Sequence, residues 1–312
     1  MGKIAFLFPG QGSQSVGMGQ SFYETEEGKS VFDRADEDLG TSLTQTMFEG
    51  PEEELVQTAN TQPALLTVST AALERLKSAG VTPDYVAGHS LGEYSALVAA
   101  GSLSFDDAVL AVRKRGEWME EAVPNGQGAM AAILGMEQSA LQDVVNRVND
   151  EGGAVDLANI NCPGQIVISG EAEAVKKAAD LAKETGAKRA TLLPVSGPFH
   201  SRLMKPAAEH LEGHLASISL VDASVPVVTN VTAQFETTGD SLKDLLVQQL
   251  YSPVRWQESI QTLVDEGVDT FVEVGAGKVL SGLVKKIHRR AKVLPVYDEK
   301  SLQDAVKRLN EE

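Results

Sequence analysis

Along this chain, short continuous apolar runs alternate with stretches in which apolar residues return every three or four positions. The first pattern marks strands buried on both faces, the second amphipathic helices. Lys3-Ile4-Ala5-Phe6-Leu7-Phe8 predicts a strand, with Pro9-Gly10-Gln11-Gly12-Ser13-Gln14 as the loop after it. Helical segments then run to about residue 78. The longest covers 61–78, where Leu65, Leu66, Val68, Leu73 and Leu76 form a stripe that stops at Gly80. A strand over 84–88 and a helix after Ser90 follow. Ser104 then suits the N-cap of a helix over 104–122, because acidic residues fill the next turn.

The rhythm changes at residue 128. Ala129 to Leu134 predicts a strand and 137–149 a helix. Strands over 154–160 and 165–169 are joined by the Asn-Cys-Pro-Gly turn at 161–164, and a helix over 171–185 and a strand over 188–195 complete the set. This β-α-β-β-α-β order is that of a ferredoxin-like unit. Pro124-Asn125-Gly126-Gln127-Gly128 and Ser196-Gly197-Pro198 bound it like linkers. The expectation is therefore a large α/β domain from 1–127 and 197–312, with an inserted subdomain at 128–196. After 198 the first pattern resumes: helices near 201–216, 240–250, 255–266 and 278–289, and strands at 225–229, 270–274 and 292–296 before a final helix. Strands alternating with helices imply a mostly parallel sheet covered on both faces.

At 312 residues and 42% hydrophobic content, the chain is long enough for such a core, and no apolar run approaches a membrane span. Its N-terminal residues form a strand pattern and not a signal peptide. A single cysteine, Cys162, excludes an intrachain disulfide and a cysteine-rich metal site, and fits a reducing cytoplasm. The net charge of −17 argues against a nucleic-acid partner. An anionic partner needs a local basic patch, and Lys285-Lys286-Ile287-His288-Arg289-Arg290 offers one. On the helix expected there, Lys285 and Arg289, and Lys286 and Arg290, share a face. A solvated helix end whose cations offset the macrodipole explains the same run.

The chemistry concentrates at Gly88-His89-Ser90-Leu91-Gly92, a Gly-x-Ser-x-Gly turn between a strand and a helix. Such a turn exposes its serine above helix-start N–H groups that can stabilise an oxyanion, although an inert glycine turn has the same letters. A nucleophilic serine needs a base. Of five histidines, His89 lies inside the turn, His210 and His214 on a polar helical stretch, and His288 in the basic run. His200, where the chain re-enters the large domain, is the best candidate; a packing histidine at a junction is the alternative. No acid is obviously placed to orient it, so that role falls to a carboxylate, an amide or a backbone carbonyl. The loop at Gly10–Gln14 fails the dinucleotide fingerprint, with Ser15 at the third glycine position, and Gly275-Ala276-Gly277-Lys278 fails the P-loop at Val279. The first loop can instead lend the Gln11 amide to pair with that of Leu91 as oxyanion donors, each worth about 3–4 kcal/mol in the transition state.

Phe8-Pro9-Gly10-Gln11-Gly12-Ser13-Gln14 together with Gly88-His89-Ser90-Leu91-Gly92-Glu93 closely resembles the malonyl-CoA:acyl carrier protein transacylases. The resemblance continues through Arg113-Lys114-Arg115-Gly116-Glu117-Trp118-Met119, Asn159-Ile160-Asn161, Pro198-Phe199-His200 and Gln249-Leu250-Tyr251-Ser252-Pro253-Val254. It implies a hydrolase-like core with an inserted ferredoxin-like subdomain. By position it implies Ser90 as the acyl-accepting nucleophile, His200 as its base, Gln11 and Leu91 as oxyanion donors, and Gln249 as orienting His200 through its backbone carbonyl. Arg115 is implied as the clamp on the malonyl carboxylate, with Phe199, Asn159, Asn161 and Met119 also at the substrate, and Phe199 narrowing the space beside the α-carbon. The substrates implied are malonyl-CoA and acyl carrier protein, with no metal or other cofactor and a monomeric chain. A polyketide-pathway acyltransferase and a serine thioesterase are the rival activities.

Overall fold

The computed structural model describes residues 2–311, so Met1 and Glu312, the outer limits of the expected large domain, lie outside the described residues. Ten strands occur among them: β1 (Lys3–Phe8), β2 (Tyr85–Gly88), β3 (Gly128–Leu134), β4 (Val155–Cys162), β5 (Gln165–Glu171), β6 (Arg189–Leu192), β7 (Val227–Val228), β8 (Phe235–Glu236), β9 (Val268–Val274) and β10 (Lys292–Val296). They form two sheets. The larger runs β10-β9-β1-β2-β7-β8, parallel except between β7 and β8. The smaller runs β4-β5-β3-β6 and is antiparallel throughout.

The central strand explains its own apolar run. Alternate side chains of β1 point to opposite faces of the sheet, and both faces are covered. Phe6 and Phe8 pack with the helices Thr58–Ser78, Gly92–Ala99 and Phe105–Glu121, whereas Ala5 and Leu7 pack with Trp256, Ile260, Leu263 and Leu283. The helix Thr58–Ser78 is buried on almost every side, including Thr61, Gln62 and Thr67, so its expected stripe understates how central it is. Helix Phe105–Glu121 starts where expected, the Ser104 hydroxyl accepting the Asp107 amide at 3.1 Å. The small sheet also has two occupied faces. Ala131, Ile133, Val155 and Ile168 pack on the helices Gln138–Asp150 and Ala172–Glu184, while Met130 and Val167 turn toward the large core.

Several expected boundaries shift for physical reasons. The strand expected over 225–229 keeps only two ladder residues, and the antiparallel edge strand β8, unforeseen, pairs with it. The strand expected to reach 195 ends at Leu192, because Leu193 and Val195 leave the ladder to line a cavity. Asn161 and Cys162 belong to β4 and not to the turn that follows it. The segment after Pro198 opens with a short 3-10 turn, Arg202–Met204, before the helix Lys205–Leu215.

Backbone proximity fixes the bend after β2. A Cβ on Gly88 falls 1.9 Å from the Gly92 carbonyl carbon, and one on Gly92 falls 2.0 Å from the Phe8 carbonyl oxygen. The helix Gly92–Ala99 therefore meets the strands at a distance only glycine permits. Gly92→Ala should cost about 3 kcal/mol or more, since backbone cannot give way as a flexible side chain can. Urea denaturation checks it: a loss within the roughly 0.5 kcal/mol of a surface substitution would mean the strand and helix are not packed this closely.

Candidate active site

The bend presents Ser90 with φ at +51°, a left-handed conformation that residues other than glycine rarely adopt. Asn230, just past β7, holds it there. Its Oδ1 accepts the Ser90 amide at 2.7 Å and its Nδ2 donates to the Gly88 carbonyl at 2.6 Å. His200 is the second such residue, with φ at +58°. Its turn is pinned by the Ser201 hydroxyl, which donates to the Pro198 carbonyl at 2.7 Å, and by the Arg202 amide, which donates to Asp156 of β4 at 2.9 Å. Backbone strain of this kind is kept where the surroundings over-determine it, and here both strained residues meet.

Ser90 Oγ lies 2.7 Å from His200 Nε2, and His200 Nδ1 lies 2.9 Å from the Gln249 carbonyl oxygen. A carbonyl only accepts, so Nδ1 carries the proton and Nε2 is the free acceptor facing the hydroxyl. Among the described residues no carboxylate hydrogen-bonds to the ring. Burial, reinforced by the Arg115 charge, holds the His200 pKa down at about 3, so the imidazole is neutral. His89 makes no hydrogen bond to Ser90 or His200; its Nε2 lies 2.8 Å from Asn161 Oδ1, and it lines the same cavity.

Arg115 is 1% exposed and reaches the same point from the helix Phe105–Glu121. Its Nη2 donates to Ser90 Oγ at 3.1 Å and to Gln249 Oε1 at 2.8 Å, and its Nη1 donates to Gln62 Oε1 at 2.7 Å. The Tyr94 ring lies 5.6 Å from the guanidinium carbon. Among the described residues no carboxylate pairs with Arg115, and its buried Nε–H has no partner. The site thus holds a desolvated cation, hydrogen-bonded only to neutral acceptors, beside a hydroxyl oxygen. A cation donating to that oxygen also favours its alkoxide character as the proton leaves.

Ser90, His200 and Arg115 line a cavity of ≈ 190 Å³ with Gln11, Leu91, Asn159 and Asn161. His89 also lines it, and Met119, Phe199, Met130, Val167, Leu193 and Val195 give it an apolar wall. Among the described residues the Gln11 and Leu91 amides have no acceptor, whereas the Ser90 amide is taken by Asn230. The Gln11 loop is steadied by its side chain, which donates to Thr58 Oγ1 at 3.3 Å. At Asn159 an isolated bridge ties β4 to the segment after the helix Gly239–Gln249: the Ile160 amide donates to the Val254 carbonyl at 2.9 Å and the Val254 amide to the Ala158 carbonyl at 2.8 Å. The small sheet is thereby fastened to the segment that carries the Gln249 carbonyl.

Sequence reasoning missed Glu93, Asn230 and Gln62. Glu93 is fully buried, and its Oε2 accepts the Gln249 Nε2 at 2.9 Å and the Asn230 amide at 3.0 Å. Burial lifts its carboxyl to about 7. The available signal was a lone acid opening an otherwise apolar, alanine-rich helix. The basic patch is corrected. The helix Val279–Ile287 ends before Arg289 and Arg290, which fall in a turn, so the four cations share no helical face. Lys285 donates to the Ala291 carbonyl at 2.6 Å, closing that turn, and Lys286 to Gln165 Oε1 at 3.1 Å.

An α/β core with a serine on a glycine-walled bend, a carbonyl-oriented histidine and two free amides defines an acyl-transfer enzyme of the serine type. The chain belongs to the family described as acyl transferase domain, which matches residues 5–307. A malonyl CoA-acyl carrier protein transacylase of Bacillus subtilis (strain 168) is 60% identical over 313 residues, covering 100% of this chain and 99% of its own. One from Staphylococcus aureus (strain MRSA252) is 47% identical, covering 95% and 96%. Among solved structures, an acyl-carrier-protein-S-malonyltransferase from Bartonella henselae superposes with a TM-score of 0.96 at 43% identity, covering 99% of each chain. A malonyl-transacylase in complex with a type II PKS acyl-carrier protein superposes with a TM-score of 0.95 at 42% identity, covering 98% of this chain and 99% of its own.

The two displaced pKa values act on stability with opposite signs. The unfolded chain protonates His200 below its ordinary 6.5 while the folded chain does not until about 3. Its contribution is therefore full above 6.5 and drains away as pH falls toward 3. Glu93 stays protonated to about 7 when folded but to only 4.5 when unfolded, so its contribution is full below 4.5 and lost as pH rises to 7. Each slope approaches about 1.4 kcal/mol per pH unit, and the two offset one another between 4.5 and 6.5. In Glu93→Gln the His200 slope is no longer offset by Glu93, so stability should rise with pH through that window more steeply than in the parent chain. Thermal melts across pH 4–8 decide; parallel curves for the two proteins would remove the raised carboxyl.

Proposed function

We propose that this chain transfers a malonyl group from malonyl-CoA to the phosphopantetheine thiol of acyl carrier protein, through a malonyl ester on Ser90, supplying extender units for fatty acid synthesis. The observation that carries the reading is the buried Arg115 guanidinium, 3.1 Å from the nucleophile and without a carboxylate partner. A buried cation of that kind is unfavourable until an anion arrives, so an acyl group ending in a carboxylate fits and a neutral one leaves it unpaired. Curated relatives named as malonyl transacylases, similar over the whole chain, support the same substrate. A structural neighbour bound to an acyl-carrier protein supports the acceptor.

In the first half-reaction His200 Nε2 takes the Ser90 proton as Oγ attacks the thioester carbonyl. The Gln11 and Leu91 amides receive the tetrahedral oxyanion. The C–S bond then breaks, and His200 returns the proton to the departing CoA sulfur. In the second half His200 takes the proton of the carrier thiol, sulfur attacks the ester carbonyl, the C–O bond to Ser90 breaks, and the proton goes back to Oγ. Gln249 keeps the proton on Nδ1 throughout. The apolar wall from Met119, Met130, Val167, Leu193 and Val195 disfavours water as a rival acceptor, and Phe199 crowds the α-carbon against a branched acyl group. No metal or redox group enters either step. We read residues 128–196 as an inserted ferredoxin-like subdomain that roofs this cavity, and the chain as a monomer of the cytoplasm. Among the described residues no helix is long and apolar enough to cross a membrane.

Ser90→Ala should form no covalent adduct with radiolabelled malonyl-CoA; an adduct that persists in denaturant would move the nucleophile elsewhere. Two charge-assisted bonds of about 1.5–3 kcal/mol each give Arg115 roughly a 10²–10⁴-fold preference for malonyl over acetyl. Arg115→Ala should erase most of that ratio of kcat/KM values. An unchanged ratio would take Arg115 out of substrate recognition.

A further inference from the structure

Arg115 has long, flexible geometry, and a clamp is selective only if its fork is aimed. One of the acceptors that aims it is the Gln249 side chain, whose Oε1 takes the Nη2–H at 2.8 Å. An amide that accepts on one side must be fixed on the other or it rotates. Gln249 Nε2 is fixed by Glu93 Oε2 at 2.9 Å and by the Ser90 carbonyl at 3.0 Å. Glu93 is buried beneath the bend, where its carboxyl touches neither Ser90 nor His200, and makes no ion pair with Arg115. The same Oε2 also accepts the Asn230 amide, and Asn230 grips the bend on both sides of Ser90. One carboxyl oxygen thus ties the nucleophile's backbone to the arm that holds Arg115.

We propose that Glu93 is a positioning residue which, through the side-chain amide of Gln249, fixes the aim of Arg115 and so sets the preference for acyl groups ending in a carboxylate. The inference rests on the reading of Arg115 as the carboxylate clamp. It divides the work of Gln249 in two. The backbone carbonyl holds His200 for chemistry on any acyl group, and the side chain serves recognition of one kind. A role of Glu93 confined to holding the bend affects every substrate alike, whereas an aiming role affects malonyl more than acetyl.

The test measures kcat and KM for malonyl-CoA and acetyl-CoA with the purified full chain and acyl carrier protein as acceptor. Glu93→Leu should lower the malonyl-to-acetyl ratio of kcat/KM about ten- to a hundredfold, chiefly through the malonyl KM, since misplacement by about 1 Å has effects of that size. Glu93→Gln leaves an acceptor oxygen in place and should keep the ratio within about threefold of the parent. Should Glu93→Leu fail to fold, Gln249→Met, similar in volume and with the backbone carbonyl intact, carries the same expectation for the ratio. A ratio that Glu93→Leu or Gln249→Met leaves unmoved, or that Glu93→Gln lowers as far as Glu93→Leu does, overturns the proposal. Arg115→Ala, run alongside, separates the two claims. If it too leaves the ratio unchanged, the clamp itself has failed; if it lowers the ratio while the Glu93 and Gln249 variants do not, only the positioning role has.

Discussion

Burying a guanidinium removes hydration worth many kcal/mol, and the protein must replace it with hydrogen bonds or a counter-charge. For Arg115 the replacements are the side-chain amide oxygens of Gln62 and Gln249, the Ser90 hydroxyl and the face of Tyr94, none of them an anion. Much of the surrounding architecture follows from keeping those neutral partners still. The helix Thr58–Ser78 has to be central because Gln62 approaches from it. Gln249 has to be tethered from behind. Arg115 has no direct ion-pair partner among the described residues, although the buried Glu93 carboxyl acts on it through space, and its charge also works on the histidine: burial first, then that charge, keeps His200 neutral. One desolvated cation therefore shapes both recognition and proton transfer.

Ser90 and His200, the proposed nucleophile and base, are held by backbone as much as by side chains. Both occupy left-handed conformations, one secured by Asn230 and the other by the Ser201 turn. The two β4 hydrogen bonds to Val254 carry this rigidity across to the small sheet, and the Arg202–Asp156 ion pair does so a second time on an exposed flank. That pair is surface-accessible, so its worth is geometric more than energetic. The buried backbone bonds do more, because unpaired amides inside the protein are costly.

What the sequence made legible was local. The Gly-x-Ser-x-Gly bend declares itself because its glycines are demanded by contacts within a few residues of it and by the adjacent strand. The apolar runs of β1 and β9 declare strands because both faces are covered. His200 stood out by its place at the junction, but its carbonyl partner could not be found that way, since any residue supplies a carbonyl; only the family resemblance pointed to Gln249. Glu93, Asn230 and Gln62 matter through partners far off in sequence, and a buried polar residue looks in sequence like an exposed one. The two-residue β7 fell short of its apolar run because only Val227 and Val228 pair with β2 and with the short edge strand β8. The basic run misled because four cations on a helix require the helix to continue, and it stops at Ile287.

The floor and the roof of the cavity come from different sheets. Ser90, His200, Gln11 and Arg115 belong to the parallel sheet and its helices, while Met130 and Val167 belong to the outward face of the antiparallel one, with Leu193 and Val195 just beyond its edge. None of those four hydrophobic side chains holds a reacting group in place. The apolar ceiling is thus built separately from the layer that holds Ser90, His200 and Arg115, so it is free to change size by ordinary repacking while the workbench beneath keeps its dimensions.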